Sequence, residues 1–143
     1  MNNEDRRRKL DKFGELAIKY FKNLPLLDIE AFFKGLSPDV SAQAFQRKLV
    51  SLDDDVKELI KACVTYATTS ALFYFLDDLQ YFYDGNHDIS VLVDGDNLVG
   101  MSEEGIIFEP MGEEGWEARF SKYPTTNEIY EKYAEIFNRE RKE

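Results

Sequence analysis

The chain carries few of the side chains that commonly perform catalysis. It has one histidine, His87, and one cysteine, Cys63, among 143 residues. His87 could act as a general base with Asp84 or Asp88 beside it, although its Gly/Asn/Asp-rich surroundings are typical of a solvated turn. Cys63 lies in an apolar run, which favours an unreactive core thiol over a nucleophile. A single histidine excludes two-histidine metal motifs, and a core cysteine could not supply the second ligand.

Two turns rich in aspartate and asparagine, at 84–88 and 94–97, invite a calcium-binding interpretation. The first turn matches the first, third and fifth ligand positions of an EF-hand loop with Asp84, Asn86 and Asp88. Such a loop requires glycine at the next position and glutamate at the twelfth, where this chain has Ile89 and Gly95. The second turn has a leucine at its fifth position. No regular metal site is predicted, and an irregular cation site built from both turns is the alternative.

Other active-site motifs are absent from the sequence. It has no glycine-rich phosphate loop, no nucleophile elbow and no dinucleotide fingerprint. The adjacent acidic pairs at 77–78, 103–104 and 113–114 are typical of solvated turns and helix ends. Acid–base chemistry needs two carboxyl groups in different environments of one cleft, which sequence alone does not show. Catalysis therefore has no positive support, and no cofactor is expected.

The charges are distributed unevenly along the chain. Its net charge is −10, and segment 62–118 holds 12 of the 28 acidic residues but none of the 18 basic ones. The basic run Arg6–Lys9 is interpreted as a solvated helix face, with a contact patch as the alternative. Phosphate binding needs clustered lysine and arginine, so nucleic acid is excluded as a partner of the acidic segment.

We expect the acidic segment to bind a basic partner protein. Opposite electrostatic fields steer association and give specificity, and aromatic side chains are favoured as interface anchors. Small cytosolic proteins that neutralise basic toxins or nucleases share this size and charge, so an immunity or antitoxin-like role is the hypothesis. The predicted binding residues are Tyr83, Asp94, Asp96, Glu103, Glu104, Glu109, Glu113, Glu114 and Trp116.

Three alternatives stay open at this point. The acids could serve only to keep an aromatic-rich domain soluble. The chain could instead be a small-molecule-binding domain or a small hydrolase-like enzyme, with a pocket between sheet and helices lined by its 11 Phe and 8 Tyr residues. A deep apolar cavity with a few convergent polar groups would favour that interpretation. Self-association through a strand edge at Ile106–Phe108 is the third possibility.

The element that must organise these residues is the uncharged stretch between Lys61 and Asp77. Its apolar residues recur on one helix face and cover much of the opposite face. A helix that is apolar on all sides is buried, and a bilayer requires about 20 apolar residues. The sequence therefore predicts a buried central helix and no membrane span. Over Asp53–Tyr83 this helix would be about 45 Å long, so we expect a break at Thr68–Ser70 or at Asp77–Asp78.

Three further helices are predicted before the central one. They are a helix over Glu4–Asn23, capped by Asn3 and ended by Leu24–Pro25; a short helix capped by Asp28 and ended by Gly35; and a helix over Ala42–Leu52. Proline disfavours helical backbone at the residue before it, and glycine suits the position after a helix. Leu16 and Tyr20 are assigned to the apolar stripe of the first helix.

After the central helix, short alternating segments separated by tight turns predict β-strands. They are Ile89–Val93, the hairpin turn at 94–97, Leu98–Met101, Gly105–Glu109 and Trp116–Ser121. A capping box over Thr125–Glu128 then predicts a closing C-terminal helix.

The expected fold is a single α+β domain over residues 1–143. It has a helical N-terminal half around the buried central helix, an antiparallel meander of three or four strands and a closing helix. The first ten residues, MNNEDRRRKL, lack the apolar run of a secretory signal, and one cysteine allows no intrachain disulfide. Both observations favour the cytoplasm.

Overall fold

The structure, a computed structural model, describes residues 1–86 and 89–142. Within these ranges it is mostly helical, with one two-stranded antiparallel sheet. The elements are α1 (Asn3–Ile18), a π-helical turn (Lys19–Asn23), α2 (Leu24–Phe33), a 3-10 turn (Val40–Ala42), α3 (Gln43–Val50), α4 (Asp54–Tyr81), a second π-helical turn (Phe82–Asn86), β1 (Leu92–Val93), β2 (Asp96–Asn97), α5 (Leu98–Met101), a 3-10 turn (Ile106–Phe108), α6 (Trp116–Phe120) and α7 (Thr126–Glu140).

The first two helices form one continuous helical path. The side chain of Asn2, and not that of Asn3, caps α1 by accepting a hydrogen bond from the Asp5 N–H at 2.7 Å. The prediction that Leu24–Pro25 ends the first helix is wrong. Pro25 lies in the first turn of α2, directly after the π-helical turn, and the first turn of a helix is where proline is tolerated. Asp28 consequently lies inside α2 and does not cap it.

The predicted end of the second helix at Gly35 is confirmed. Gly35 has a φ of +69°, a left-handed conformation that glycine adopts without a steric penalty. The Leu36 N–H donates to the Ala31 carbonyl at 2.9 Å across this turn, as expected of a glycine-terminated helix. After a short 3-10 turn, α3 occupies most of the range that the sequence predicts for the third helix.

The central helix α4 is unbroken for 28 residues, about 42 Å, so the predicted break is wrong. The Thr65 and Thr68 hydroxyls donate to the carbonyls four residues before them, each at 2.9 Å. Their polar groups are thereby satisfied inside the helix. The helix is also less buried than predicted, because its fully buried side chains form one narrow stripe of Thr65, Leu72, Leu76 and Leu79.

The hairpin at 94–97 is confirmed, but the larger meander is not. β1 and β2 pair antiparallel, with Leu92 opposite Asn97, and Asp94 and Gly95 have φ of 49° and 87°. Two successive positive φ values are typical of the hairpin turn that matches strand twist. The remaining predicted strands form α5, a 3-10 turn and α6 instead.

The replaced strands are all short, which explains the error. Over four or five residues, an apolar alternation fits a strand and a single helical turn equally well. In the segment Leu98–Met101, Asn97 favours the helix. Its side-chain oxygen accepts hydrogen bonds from the N–H groups of Val99 and Gly100 at 3.0 and 3.2 Å. This cap starts a helix directly after β2. The strand edge proposed at Ile106–Phe108 is therefore a 3-10 turn.

The core forms where α1 and α4 meet the segment that follows the hairpin. Trp116 of α6 is fully buried and lies directly on α1, where a Cβ on Gly14 would approach its ring to 2.4 Å. The Phe13 and Trp116 ring centroids are 5.8 Å apart. The core comprises Leu10, Ala17, Ile18, Leu72, Leu76, Leu79, Val93, Leu98, Val99, Met101, Ile106 and Trp116.

The closing helix α7 starts as predicted. The Glu128 N–H donates to the Thr125 hydroxyl at 3.2 Å, and the Thr125 N–H donates to the Glu128 carboxylate at 2.6 Å. These reciprocal bonds define a capping box. The helix packs against α4, with the Tyr66 and Tyr130 ring centroids 6.3 Å apart.

Candidate functional site

The acidic segment lies against the basic side chains of α1. Its carboxylates form ion pairs with the run Arg6–Lys9 and with Lys12, over sequence separations of 82 to 102 residues. The pairs are Arg6–Glu103, Arg7–Glu109 (2.9 Å), Arg8–Asp94 (3.6 Å), Lys9–Asp96 and Lys12–Asp94 (2.7 Å). The basic run is therefore a contact patch within the molecule and not the solvated helix face that the sequence favours.

Two carboxyl groups show the electrostatic effect of this contact. The Lys12 ammonium, which donates to Asp94, holds the pKa of that carboxyl below its usual value. The guanidinium of Arg119 in α6 donates two hydrogen bonds to the carboxylate of Asp11 in α1, at 2.9 and 2.6 Å. These bonds lower the pKa of Asp11, and the positive charge of Arg7 lowers it further. A planar guanidinium that engages both carboxylate oxygens fixes geometry as well as charge.

Five of the nine predicted binding residues line one open groove of about 870 Å³ between α1 and the segment 101–115. They are Glu103, Glu104, Glu109, Glu113 and Glu114. Arg6 and Arg7 line the same groove and neutralise Glu103 and Glu109. The other three carboxylates have no ion pair within the described ranges of the chain, so the net acidity of the groove comes from them.

The other four predicted binding residues lie elsewhere. Asp94 and Asp96 belong to the hairpin and are paired with bases of α1. Tyr83 packs near α5, where a Cβ on Gly100 would lie 2.8 Å from the tyrosine oxygen. Trp116 is 0% exposed, so it presents no aromatic anchor to a partner. In the sequence, apolar Trp116 is followed by charged Glu117, an alternation that indicates a buried side chain. The alternation does not show whether that side chain is buried against a partner or in the core.

Of the side chains singled out for chemistry, the structure describes those of Cys63 and Asp84. His87 and Asp88 lie outside the described residues. Cys63 is exposed on α4, contrary to the core position predicted for it. Asp84 accepts a hydrogen bond from the Gln80 amide at 3.0 Å. Among the described residues, no group of three or more histidine, cysteine or acidic side chains is arranged to hold a metal ion.

A second cavity of about 770 Å³ contains a buried ion pair that the sequence does not predict. Lys22 is 2% exposed, and its ammonium donates to the Pro124 carbonyl at 2.7 Å and lies 3.4 Å from the Glu117 carboxylate. Burial lowers the pKa of Lys22. The Glu117 carboxylate also accepts hydrogen bonds from the N–H and, at 2.8 Å, the hydroxyl of Thr126.

The spacing of α1 contains the signal for the buried lysine. The buried stripe runs through Gly14 and Ile18, and Lys22 is the next residue at a four-residue interval. Leu16 and Tyr20, assigned to the inward stripe from the sequence, are instead 51% and 59% exposed. A stripe drawn only through large apolar residues misses a small glycine and a buried charge.

The two cavities adjoin at residues 111–113, which line both of them. Aromatic and aliphatic side chains supply much of the second cavity's wall. They are Phe21, Phe73, Tyr74, Ile107 and Tyr130. The site therefore consists of an acidic groove beside a more apolar cavity with a buried ion pair.

Comparison of the chain with protein-family models, with curated proteins and with solved structures finds no match. In the described part of the chain, the helical stretch Asp54–Gly85 is long and apolar enough to cross a membrane by length and composition. Only 17% of its most apolar window is buried inside the protein. This low burial distinguishes α4 from an ordinary core helix.

Proposed function

We propose that this chain is a non-enzymatic protein-binding domain that receives a basic segment of a partner protein in the acidic groove. The observation that carries the proposal is the position of Glu104, Glu113 and Glu114. All three are exposed, line one open groove and have no ion pair among the described residues. A partner's lysine and arginine side chains would pair with these carboxylates, and the field of the groove would speed their approach.

The groove also has features that would orient a bound segment. Phe108 and Met111 line it and are 52% and 53% exposed, so they offer apolar contacts between the charged positions. Arg119 lines the same groove and is held by Asp11. The Nε of Arg119 donates to the Glu114 carbonyl at 2.7 Å, so a positive charge lies at the Glu114 end of the acidic run, where the cations of a bound segment would be disfavoured.

An inhibitor of a basic toxin or nuclease would use such a surface. The charge of the groove and the small size of the domain are the features that support an immunity or antitoxin-like role in the cytoplasm. Binding by complementary charge needs no catalytic group on this chain. The proposed partner is one whose own active surface is basic, because covering that surface would inhibit it.

The test is a pull-down from the source cell with the wild type and the triple variant Glu104→Gln, Glu113→Gln, Glu114→Gln. The matched control removes the same number of charges elsewhere, through Asp53→Asn, Asp54→Asn and Asp55→Asn at the start of α4. We expect wild type and control to capture the same basic protein at low salt. The triple variant and wild type in high salt should lose it. Capture that is unchanged in the triple variant would contradict the proposal.

A second candidate function is the binding of a small molecule in the cavity beside α7. The observation that favours it is the Lys22–Glu117 pair, which puts buried polar groups at a cavity of about 770 Å³ with aromatic walls. Small-molecule sites commonly have this size and mixture of surfaces. A ligand screen by thermal shift tests this function, with Ala118→Trp filling the cavity. A ligand whose stabilising effect survives Ala118→Trp does not bind there.

A further inference from the structure

The long helix α4 has a second apolar face, opposite the stripe that it buries. Val56, Ile60, Cys63, Ala67, Ser70, Tyr74 and Tyr81 follow one another along this face. Successive residues of a helix are rotated by about 100° about its axis. On that basis these side chains fall within roughly 40° of one line along the helix, and this line lies opposite Thr65 and Leu76. Val56, Tyr74 and Tyr81 are 40%, 66% and 63% exposed, and Cys63 and Ala67 are exposed.

This face differs from the solvated side of an ordinary surface helix. No charged residue occurs from Ala62 to Leu76, whereas the outer face of an amphipathic helix is normally charged. From Val56 to Tyr74 its residues recur at alternating intervals of four and three, the average of 3.5 that describes a seam between two packed helices; the next position of that series is Asp77. A contiguous exposed apolar surface of this kind marks an interaction site.

We propose that α4 packs against α4 of a second copy of this chain, antiparallel, around a two-fold axis between Ala67 and Ser70. The order of side-chain sizes along the seam is self-complementary in that arrangement. Ala67 faces Ser70 at the centre, where small side chains allow close approach. Cys63 faces Tyr74, and Val56 faces Tyr81, so that each large ring lies against a smaller side chain. Towards the ends of the seam Ile60 faces Asp77, whose carboxylate would turn to solvent. A two-fold interface uses the same patch on both copies.

Repulsion between aspartates disfavours the parallel orientation. The C-terminal half of α4 carries Asp77 and Asp78 with no base, and the N-terminal half carries Lys57 and Lys61 beside Asp54, Asp55 and Glu58. Antiparallel pairing brings Asp78 of one copy to within about one helical turn of the level of Lys57 of the other, on the same flank of the seam. A parallel pair would instead place Asp77 and Asp78 of one copy beside those of the other, and like charges in contact are unfavourable.

The exposed area is sufficient for a stable pair. Three tyrosines on or beside the seam, at positions 66, 74 and 81, are each about three-fifths exposed. Together with Val56, Leu59 and the small central residues, they would remove on the order of 600 Å² per copy from water. A standard interface buries about 800 Å² per partner, so the pair falls in the lower part of the range for specific association.

A second copy fits this face better than a lipid bilayer does. The uncharged run from Ala62 to Leu76 has 15 residues, about 22 Å of helix, against a hydrocarbon core of about 30 Å. Three threonines and one serine interrupt it. The net charge of −10 also opposes approach to an anionic membrane surface.

Sedimentation of the full chain tests the proposal, with Ala67→Glu as the disrupting variant. Ala134→Glu, at an exposed position of α7, is the matched control. We expect the wild type and the control to form dimers at micromolar concentration, and Ala67→Glu to weaken dimerisation at least a hundredfold with an unchanged circular dichroism spectrum. A wild type that is monomeric at about 100 µM overturns the proposal, as does a dimer that Ala67→Glu leaves intact.

Disulfide formation tests the orientation. In the antiparallel pair, Tyr74→Cys lies opposite Cys63 of the other copy, so the variant should oxidise to a covalent dimer. Within one copy these positions are about 16 Å apart along the helix, too far for a disulfide. The single-cysteine variant Cys63→Ser, Tyr74→Cys should stay uncrosslinked. A wild-type dimer linked through Cys63 itself would indicate parallel helices and contradict the proposed orientation.

Two further measurements complete the test. Asp78→Lys should weaken the dimer about tenfold, and adding Lys57→Glu should restore it, because the swap recreates opposite charges across the pair. Flotation with phosphatidylcholine vesicles addresses the lipid alternative. Vesicle binding by a protein that is monomeric in solution, lost in Ala67→Glu, would assign the face to a membrane surface and overturn the proposal. None of these variants alters the acidic groove, so the result is independent of partner binding there; Tyr74→Cys alone changes the wall of the second cavity.

Discussion

The first helix contacts the C-terminal half of the chain in two chemically different regions. Along its first three turns, Arg6–Lys12, basic side chains pair with carboxylates of the hairpin and of the groove. One turn further, Gly14 lies against the indole of Trp116. Both regions join residues roughly 80 to 110 apart in the chain. Arg7, Arg8 and Lys12 are about half exposed and only Lys9 is buried among the bases, whereas Trp116 is fully buried.

The two regions of α1 therefore make different contributions: the apolar region stabilises the fold, and the charged region orients the segments that pack on α1. Exposed ion pairs are screened by salt and contribute little each, whereas burial of a large ring contributes free energy in proportion to the apolar area removed from water. The indole contact therefore holds α6 on α1, and the ion pairs set how the hairpin and the groove lie along α1. The four predictions below change one region at a time.

Removal of the indole should have the largest effect. Trp116→Ala is expected to lower the free energy of unfolding by about 3–5 kcal/mol, measured by urea denaturation. Trp116→Phe should cost much less, because the indole Nε1 is buried with no hydrogen-bond partner among the described residues and its loss removes no such bond. Equal losses in the two variants would contradict the assignment of stability to apolar contact.

A methyl group on the opposing surface should have the next largest effect. A Cβ at residue 14 would lie 2.4 Å from the indole, so Gly14→Ala should force α1 and α6 apart and cost about 2 kcal/mol. Gly85→Ala is the matched control, because no atom of the described residues lies within 4 Å of a Cβ there. Its free energy of unfolding should stay within about 0.5 kcal/mol of wild type. Similar losses in both variants would indicate a backbone effect and not a steric one.

The strongest ion pair should contribute about 1 kcal/mol. Asp11 and Arg119 meet in two contacts and are only about one-quarter exposed, conditions under which a pair exceeds the small contribution of most surface pairs. A double-mutant cycle with Asp11→Asn and Arg119→Gln measures the coupling. The coupling should shrink in 1 M salt. A coupling energy as large as the loss of unfolding free energy in Trp116→Ala would contradict the proposed difference between the two regions.

The smallest expected effect is a dependence of stability on acid. The pKa of Asp11 is lowered by Arg119, and that of Asp94 by Lys12. A carboxyl whose pKa is lower in the folded state contributes stability above its unfolded value, near 3.8, and loses it as pH falls through the folded value. The urea midpoint should therefore be constant from about pH 7 to 5 and fall below about pH 4, less steeply in Asp11→Asn.

The elements with long or reciprocal sequence patterns were predictable. The long amphipathic pattern of α1, the uncharged stretch of α4, the Asp-Gly turn of the hairpin and the capping box of α7 each identify an element. The strands predicted at 98–101, 105–109 and 116–121 were wrong, because segments of four or five residues carry too few periods to distinguish strand from helix. The break in α4 was wrong because the length argument assumed a domain too compact to hold a helix of this length.

The candidate site was predictable in composition but not in arrangement. The excess of acid in segment 62–118 indicates an acidic surface, and five of its residues do share one groove. The pairing of four of the seven predicted carboxylates with α1 depends on tertiary contacts across the chain. Two complementary charge runs within one domain, the bases at 6–12 and the acids after residue 93, were the available signal. For the buried Lys22–Glu117 pair the only signal is the four-residue spacing of Lys22 from Ile18, and the sequence does not indicate that the second face of α4 is open.

The long-range closure of α1 onto the hairpin and α6 has a consequence for folding. The contacts of Gly14 with Trp116 and of Asp11 with Arg119 form only after residue 119 has left the ribosome. Until then α1 exposes its apolar stripe, and the loop that must close spans about 100 residues. Such non-local closure slows folding relative to the local formation of α4. Nascent chains should therefore acquire protease resistance late in synthesis, and chains stopped before Trp116 should be substrates for chaperones.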